Sequence, residues 1–345
     1  GACIESAAYD TSDFLPKALN QYFTEGVQWS MPFNVSDPVL YYNKKVFKAA
    51  GLDPNKPPTN MAELRTMSQA IVDSGAAGYG LSLDTGADSG GGWFLEQWFA
   101  KLGELFSDND NGRLAPSTKV NFDSQVGIDL LTDLQSLVND GLAYNVGDNA
   151  SGQDALLKLA DPDNAAAMTI ATSAALGTVL TTVQGGLIPG ITTDDIGVGP
   201  MPAPGDADAP GAIVGGASLW IVNHDDPAKA AAVWDFISFL ITAESQSMWA
   251  AATGYVPVRS SALEVGAIAE KYKTDPRFKV AYDQLLQAAD SPASLGAILG
   301  PQREIRTLSA RAIATVLQGG DVTTALTDAA NQANALLSAY ITANQ

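Results

Sequence analysis

The chain has 345 residues, enough for two domains, and its 46% hydrophobic and 17% charged residues are typical of a globular protein. Its formal net charge of −19 opposes binding to nucleic acid, because phosphate backbones are held by Lys and Arg. With one cysteine and one histidine, it also lacks the ligand sets of structural zinc sites. The composition therefore argues against metal and nucleic-acid partners.

The first half of the chain alternates between predicted helices and short strands. A helix within residues 10–23 precedes a short strand at 39–42. The next helix starts at Asn43 and ends at Gly51, a residue that commonly stops helices. A further helix can be capped by Thr59 or Asn60, with an acidic residue in its first turn.

A strand then enters a glycine-rich loop, YGLSLDTGADSGGG, which leads into the helical segment WFLEQWFAKLGELF. The loop lacks the Lys and Ser/Thr that a phosphate-cradling nucleotide loop requires. The segment DNDNG resembles part of a calcium loop, but Thr118 stands where the bidentate Glu belongs, which favours a turn. Nucleotide and calcium binding are therefore disfavoured.

The second half continues the alternation. The segment DSQVGIDLLTDLQSLVNDGL predicts a helix, and a strand is predicted to change into a helix at Thr172–Ser173. Later, Asp226 and Pro227 supply a helix cap and first helical residue, TGYVPV is extended, and a helix begins near Pro301. Short strands mixed with long helices indicate α/β layers.

The segment AIVGGASLWIV, residues 212–222, interrupts a strand with glycines and small residues. Glycine within a strand marks a bulge, or a place where another backbone or a ligand approaches closely. Two interpretations follow: a bend between packed layers, or a wall against which a small molecule binds.

Four segments, in order, carry a resemblance: PFNVSDPVLYYNKKVFKAAGLDP, AIVGGASLWIV, TGYVPV and PQREIR. Together they resemble the extracellular solute-binding proteins of ABC importers (family 1), in the carbohydrate- and glycerol-3-phosphate-binding branch. The resemblance implies a type II periplasmic-binding-protein-like fold, in which two α/β lobes are joined by crossing strands and enclose a ligand cleft. It implies an N-terminal lobe of residues 1–38 and 216–256, and a C-terminal lobe of residues 39–215 and 257–345. The N-terminal lobe is expected to be incomplete, since the chain starts after the βα unit that opens such lobes.

The function that this resemblance implies is capture of a small polyol phosphate, glycerol 3-phosphate or a glycerophosphodiester, by hinge closure. The closed form would be presented to the ABC permease in the membrane. The alternative is an oligosaccharide- or glucoside-binding protein of a sugar importer. We expect a monomer without cofactor or catalysis, located outside the cytoplasm, either periplasmic or anchored on the cell surface. Cys3, in GAC, is similar to a lipoprotein site, although an ordinary buried cysteine is the simpler interpretation.

Two functions of other classes remain open. A two-domain hydrolase would use paired carboxylates in a cleft, but no spacing singles out a pair among the 38 acids. The second alternative function is that of a catalytically inert interaction protein. His224, the single histidine, precedes a helix cap and is interpreted as a solvated loop residue.

The predicted ligand contacts combine hydroxyls, backbone amides, an aromatic platform and a cation. Arg303 and Arg306 fall in the first two turns of the last-but-one helix, where cations oppose the helix dipole and an anionic ligand would relieve the conflict. The resemblance assigns the phosphate to Arg306, with Arg303 second, and Trp93 is preferred as the platform over Trp98, which is typical of core. The predicted site is Ser36, Trp93, Ser173, Gly215, Gly216, Ser218, Tyr255 and Arg306.

Overall fold

The computed structural model describes residues 2–148, 153–163, 165–209, 211–222 and 226–344. The chain forms two compact units, here called the first and second unit. The first unit contains Gly1–Asp37, Ser173–Val179 and Val214–Leu286. The second unit contains Pro38–Thr172, Leu180–Ile213 and Gln287–Gln345.

The secondary structure is mixed. The strands are β1 (Phe23–Thr24), β2 (Val27–Gln28), β3 (Met31–Ser36), β4 (Pro38–Asn43), β5 (Tyr79–Asp84), β6 (Ala143–Gly147), β7 (Ala166–Thr172), β8 (Ile196–Pro200) and β9 (Gly215–Leu219). The α-helices are Ala2–Ser6, Pro16–Asn20, Lys44–Ala49, Met61–Asp73, Trp93–Lys101, Gln125–Asn139, Gln153–Leu157, Leu176–Gln184, Pro227–Leu240, Ala243–Thr253, Gly266–Thr274, Val280–Gln287, Pro292–Leu295, Gln302–Leu317 and Val322–Ala343. Short 3-10 turns occupy Lys158–Ala160, Ser173–Ala175, Thr193–Asp195, Ser260–Leu263 and Pro276–Lys279. None of the helices in the described ranges has the length and apolar character needed to cross a bilayer.

The second unit is built on a five-stranded sheet in the order β6-β5-β7-β4-β8. β4 pairs antiparallel with β7 and β8, whereas β5 is parallel to β6 and β7. Every residue of β4 is buried, as expected of a strand that is covered on both faces. Helices cover this sheet, and their largest fully buried side chains include Trp98, Phe99 and Phe47.

Local capping chemistry explains where the helices of this unit begin. The Asn43 side chain accepts hydrogen bonds from the backbone N–H groups of Lys45 and Val46, at 3.0 and 3.2 Å. Asn60, rather than Thr59, caps the next helix by accepting from the N–H of Glu63 at 2.9 Å. Both helix starts are confirmed.

The segment Asp108–Gly112 is a turn, as predicted, but an unusual one. Asn109, Asp110 and Asn111 have φ values of 52°, 54° and 60°, which places three non-glycine residues in the left-handed region. The Asn111 side chain accepts from the Ser107 N–H at 2.9 Å and stabilises this backbone.

In the first unit, β3 pairs antiparallel with β9, and their register shifts between Pro32 and Asn34. The helix Pro227–Leu240 begins as predicted, since the Asp226 carboxylate accepts from the N–H groups of Ala228 and Lys229 at 3.0 and 3.2 Å. This unit therefore pairs two strands that lie far apart in sequence, and the helix Pro227–Leu240 follows the second of them closely.

The unit boundaries differ from the expected ones at residues 173–179 and 257–286, which were assigned to the other lobe. Both segments lie in the first unit. A Cβ at Gly177 would lie 2.2 Å from the carbonyl oxygen of Ala252, so the two backbones are in close contact. The Ser247 hydroxyl donates to the Val265 carbonyl at 2.6 Å and accepts from the Ile268 N–H at 3.0 Å. Long-range backbone contacts of this kind leave no local sequence signal.

Candidate functional site

Three of the predicted site residues lie close together in the first unit. Ser36 ends β3 and is 3% exposed. The backbone N–H of Val256 donates to the carbonyl of Val35 at 2.7 Å, so the segment containing Tyr255 runs beside the end of β3. This bridge places the Tyr255 segment next to Ser36.

Ser173 joins the same region through Asp37 and Gly254. Its N–H donates to the Asp37 carbonyl at 2.9 Å, and its hydroxyl accepts from the Asp37 N–H at 3.4 Å. Gly254 has a φ of 105° at the end of the helix Ala243–Thr253, and a Cβ there would lie 2.4 Å from the Ser173 carbonyl oxygen. Only glycine permits this approach, so the TGY segment is fitted to Ser173.

A row of three aromatic rings accompanies these hydroxyls. The Trp249 ring is stacked on Tyr255, with centroids 6.2 Å apart and an interplanar angle of 19°, and lies 5.4 Å from Phe33. Trp249 is 39% exposed, so a face or edge of its indole meets solvent. Phe33, Trp249 and Tyr255 are here called the aromatic row. Trp249 is not among the residues predicted from the sequence, although it stands six residues before Tyr255 of the TGYVPV motif.

Gly216 of β9 has a structural explanation. Gly216 has a φ of 95°, and a Cβ there would lie 1.8 Å from the carbonyl oxygen of Asn34. Gly215 stands directly opposite Ser36 in the strand pairing. The close approach of β3 and β9 by itself requires glycine at 216, and a ligand contact at Gly215 and Gly216 stays a prediction.

Ser218 is engaged inside the first unit. Its hydroxyl accepts from the Ser30 hydroxyl at 2.9 Å and from Nε1 of Trp220 at 3.0 Å. Burial raises the pKa of Tyr22 to about 12, an effect that a hydrogen bond with Ser218 partly opposes. A ligand that used this hydroxyl would have to compete with these partners.

The two tryptophans weighed as aromatic platforms differ in burial. Trp98 is 1% exposed and its Nε1 donates to the Pro202 carbonyl at 3.2 Å, so its interpretation as core is confirmed. Trp93 is half-buried at the start of its helix, 5.6 Å from the Phe94 ring. Trp93 packs against the core of the second unit, and its ligand role stays a prediction.

Arg306 is held by Glu96, a residue that is not among those predicted from the sequence. Its Nε and Nη2 donate to the two carboxylate oxygens of Glu96, at 2.6 and 2.8 Å, and its Nη1 lies 3.8 Å from Asp88. Burial lowers the pKa of Arg306, but the hydrogen bonds and charge of Glu96 outweigh it, and the pKa is raised. In this structure Glu96 therefore engages the two guanidinium nitrogens Nε and Nη2, and the bidentate contact of Arg306 with a phosphate stays a prediction.

The glycine-rich loop after β5 is organised by Asp84. One carboxylate oxygen accepts from the N–H groups of Gly86 and Gly90, at 2.9 and 3.1 Å, and from the Ser89 hydroxyl. Burial raises the pKa of Asp84, and these hydrogen bonds only partly offset the shift. The loop is thus built around a buried carboxyl group rather than around a nucleotide phosphate.

The described residues contain no cluster of three or more His, Cys, Asp or Glu side chains that could hold a metal ion. Cys3 is half-buried. His224, interpreted from sequence as a loop residue, lies outside the described residues.

Comparison with solved structures identifies the fold. Among solved structures, UgpB from Mycobacterium tuberculosis in complex with glycerophosphocholine is similar with a TM-score of 0.77 and 23% identity, over 99% of this chain and 78% of that one. The cyclic alpha-maltosyl-1,6-maltose binding protein of Arthrobacter globiformis is similar with a TM-score of 0.72 and 24% identity, over 94% of this chain and 76% of that one. The fold is therefore the α/β fold of periplasmic binding proteins, as predicted.

Sequence comparison then gives the family. The model of bacterial extracellular solute-binding proteins matches residues 1–280. The chain is 31% identical to the sn-glycerol-3-phosphate-binding periplasmic protein UgpB of Pectobacterium atrosepticum, over 95% of this chain and 71% of the relative. It is 31% identical to UgpB of Salmonella typhimurium, over 90% of this chain and 68% of the relative. The chain belongs to the bacterial extracellular solute-binding proteins and is the substrate-binding component of an ABC import system, acting outside the cytoplasm.

Proposed function

We propose that this protein captures a small polyol phosphate, with sn-glycerol 3-phosphate or a glycerophosphodiester as the solute, and releases it chemically unchanged. The observation that carries this proposal is the 31% identity, over 95% of the chain, to a relative named for binding sn-glycerol 3-phosphate. The solved UgpB of M. tuberculosis, which holds glycerophosphocholine, adds support from the fold.

The hydroxyl groups of the first unit suit the polyol part of such a solute. Ser36 lies next to the Tyr255 segment, and no other described residue hydrogen-bonds to its hydroxyl. A polyol can pair its hydroxyls with such groups, and Tyr255 adds a phenol that donates or accepts. The proposed ligand residues are Ser36, Trp93, Ser173, Gly215, Gly216, Ser218, Tyr255 and Arg306.

The phosphate needs a cation that is not already neutralised. Because Glu96 accepts hydrogen bonds from both Nε and Nη2 of Arg306, we assign the main phosphate contact to Arg303, which lies one turn earlier on the same helix. Arg303 is exposed and forms no ion pair with a described carboxylate. Arg306 then acts mainly by holding Glu96 and contributes to the ligand through its third nitrogen, Nη1.

A second candidate solute is an oligosaccharide, and the aromatic row favours it. Sugar rings present C–H faces that stack on aromatic side chains, and Trp249 is stacked and partly exposed. The similarity to the maltosyl-maltose binding protein is in keeping with this alternative. A neutral sugar would make little use of Arg303.

Titration calorimetry with sn-glycerol 3-phosphate, glycerophosphocholine and maltose separates the candidates. We expect both phosphates to bind, and their affinity should fall as salt is added. NMR after incubation should show that both solutes are chemically unchanged. Arg303→Gln should weaken both by about tenfold or more, whereas Arg65→Gln, a matched change on the helix Met61–Asp73, should not. Binding of maltose alone would overturn the phosphate proposal, and turnover of a phosphodiester would overturn the carrier role.

A further inference from the structure

Met248 is the one exposed methionine among six, all of which lie in the ranges that the structure describes. It is 66% exposed, whereas four of the others are at most 4% exposed and the fifth is half-buried. The buried four are Met31, Met61, Met168 and Met201, and the half-buried one is Met67. A single thioether is therefore freely open to water.

The other methionines are enclosed by the fold. Met168 lies in β7, the central strand of the five-stranded sheet, which pairs with both β4 and β5. Met31 lies in β3 and is covered within the first unit. Met61 and Met201 belong to the hydrophobic core of the second unit, and Met67 packs against that core. A solute in water reaches the buried sulfurs only when the surrounding structure opens.

The helix Ala243–Thr253 directs Met248 into solvent. Glu244 and Ala252 lie one turn before and one turn after Met248, and both are exposed. Ala250 lies on the opposite face of this helix and is buried. Met248 is therefore in the middle of a solvent-facing stripe, and its side chain contributes little to packing.

The neighbouring Trp249 has a different role. Its ring is stacked on Tyr255 and lies 5.4 Å from the ring of Phe33. Consecutive residues of a helix do not face each other, so a chemical change at the Met248 sulfur does not enter the aromatic row.

An exposed thioether is a substrate for peroxides. A lone pair of the sulfur attacks one peroxide oxygen, the O–O bond breaks as the S–O bond forms, and the other oxygen leaves as water after taking up the proton. The sulfur is oxidised by two electrons and the peroxide is reduced by two. The resulting sulfoxide is polar, so it disrupts a packed core but is compatible with a surface that already faces water.

We propose that Met248 is a reversible oxidation site, at which peroxides outside the cytoplasm modify this protein first and without loss of its fold. A methionine sulfoxide reductase restores the thioether: two thiols of the reductant are oxidised to a disulfide, and the sulfoxide oxygen leaves as water. The exposed helix position gives such an enzyme access to the sulfoxide in the folded chain. This modification is independent of which solute the protein carries.

Peptide mass spectrometry after a brief treatment with dilute hydrogen peroxide tests the proposal. In the folded chain, Met248 should gain one oxygen about tenfold or more faster than each of the four buried methionines. In urea the six methionines should react at similar rates, because the fold no longer protects five of them. Met248→Leu should abolish the fast oxidation, whereas the matched control Met67→Leu, which removes the half-buried thioether, should keep it.

Two further measurements test tolerance and reversal. The Tm of the chain oxidised at Met248 should equal that of the untreated chain, and methionine sulfoxide reductase with dithiothreitol should remove the added oxygen without unfolding. Equal oxidation rates for Met248 and the buried methionines in the folded chain would overturn the proposal. So would a fall in Tm that treated Met248→Leu does not show, or a sulfoxide at position 248 that is reduced only in urea.

Discussion

Glu96 and Arg306 form a two-point ion pair, in which Nε and Nη2 of the arginine lie 2.6 and 2.8 Å from the two carboxylate oxygens. The Glu96 side chain is 5% exposed, so its charge depends on this arginine for compensation. The pair joins the helix Trp93–Lys101 to the helix Gln302–Leu317. Arg306 is thus a structural residue of the second unit before it is a candidate ligand contact.

Removing the arginine should therefore lower the stability of the protein itself. Arg306→Ala leaves Glu96 buried without a counter-charge, which costs about 3–5 kcal/mol in the free energy of unfolding. Urea unfolding of the chain without any solute measures this cost. Arg303→Ala, on the same helix and exposed, should change the free energy of unfolding by about 0.5 kcal/mol or less.

A double variant separates the loss of a pair from the loss of packing. In Glu96→Leu/Arg306→Met no charge remains buried, so most of the stability lost in Arg306→Ala should return. An Arg306→Ala variant as stable as wild type would show that water or another cation compensates Glu96.

The buried carboxyl of Asp84 predicts a pH dependence. Burial raises its pKa above the unfolded value, so the folded state holds the proton more tightly and stability falls as pH rises from about 4 through the raised pKa. Asp84→Asn keeps an oxygen for the three loop hydrogen bonds and does not titrate. Its stability relative to wild type should therefore increase with pH, measured by urea unfolding at pH 4, 5, 6 and 7.

Asp13 provides the opposite case. Burial opposes the shift, but hydrogen bonds from Ser261 and Arg259 lower the pKa of Asp13 below its ordinary value. Its stabilising contribution is present above the unfolded pKa and is lost as pH falls through the lowered one. Asp13→Asn should therefore lose stability relative to wild type at neutral pH and less at low pH. If the stability relative to wild type changed with pH in the same direction for Asp84→Asn and Asp13→Asn, the opposite pKa shifts assigned to Asp84 and Asp13 would be contradicted.

Gly216 should be intolerant of a side chain for a reason unrelated to ligand. Gly216→Ala places a Cβ 1.8 Å from the Asn34 carbonyl oxygen and adds the strain of a positive φ, so β3 and β9 must separate. Gly26→Ala has a similar φ of 76° but open space around it, and should cost only the strain, about 1–2 kcal/mol. Thermal unfolding should show a clearly larger fall in Tm for Gly216→Ala than for Gly26→Ala. Equal losses would mean that the strands adjust without cost.

The aromatic row distinguishes the two candidate solutes. For a polyol phosphate, Tyr255→Phe should cost about 1 kcal/mol of binding free energy, or about fivefold in Kd, from one lost hydrogen bond. For an oligosaccharide, Trp249→Ala should be the most damaging single change, because the stacking face is lost. Tyr340→Phe, an exposed tyrosine of the last helix, is the matched control and should leave Kd unchanged in calorimetry.

Several elements could be predicted from local signals alone. Asn43, Asn60 and Asp226 each place a side-chain oxygen where it can accept the first free N–H groups of a helix, and each does so in the structure. The change from strand to helix at Thr172–Ser173 is also present, with β7 ending at Thr172. Capping and strand patterning act over a few residues, so a sequence displays them directly.

Fewer contacts of the candidate site could be predicted from the sequence. Glu96 is one acid among 38, and nothing in its neighbourhood indicates that it neutralises Arg306 from 210 positions away. Trp249 likewise gave no signal of stacking on Tyr255, because the contact depends on how one helix ends. The unit assignment of residues 257–286 follows from packing on Ser247, which no local pattern specifies.

The sequence by itself determined the class of protein: four motifs in order resemble the solute-binding proteins of ABC importers, and the family comparison agrees. It also determined several helix starts and some of the strands, among them the one at 39–42. Only the tertiary structure decided which charges remain available to a ligand, since Arg306 is neutralised by Glu96 while Arg303 and Arg311 are not. The reason is physical: the charge that a side chain offers depends on its partners in space, and those partners come from distant parts of the chain.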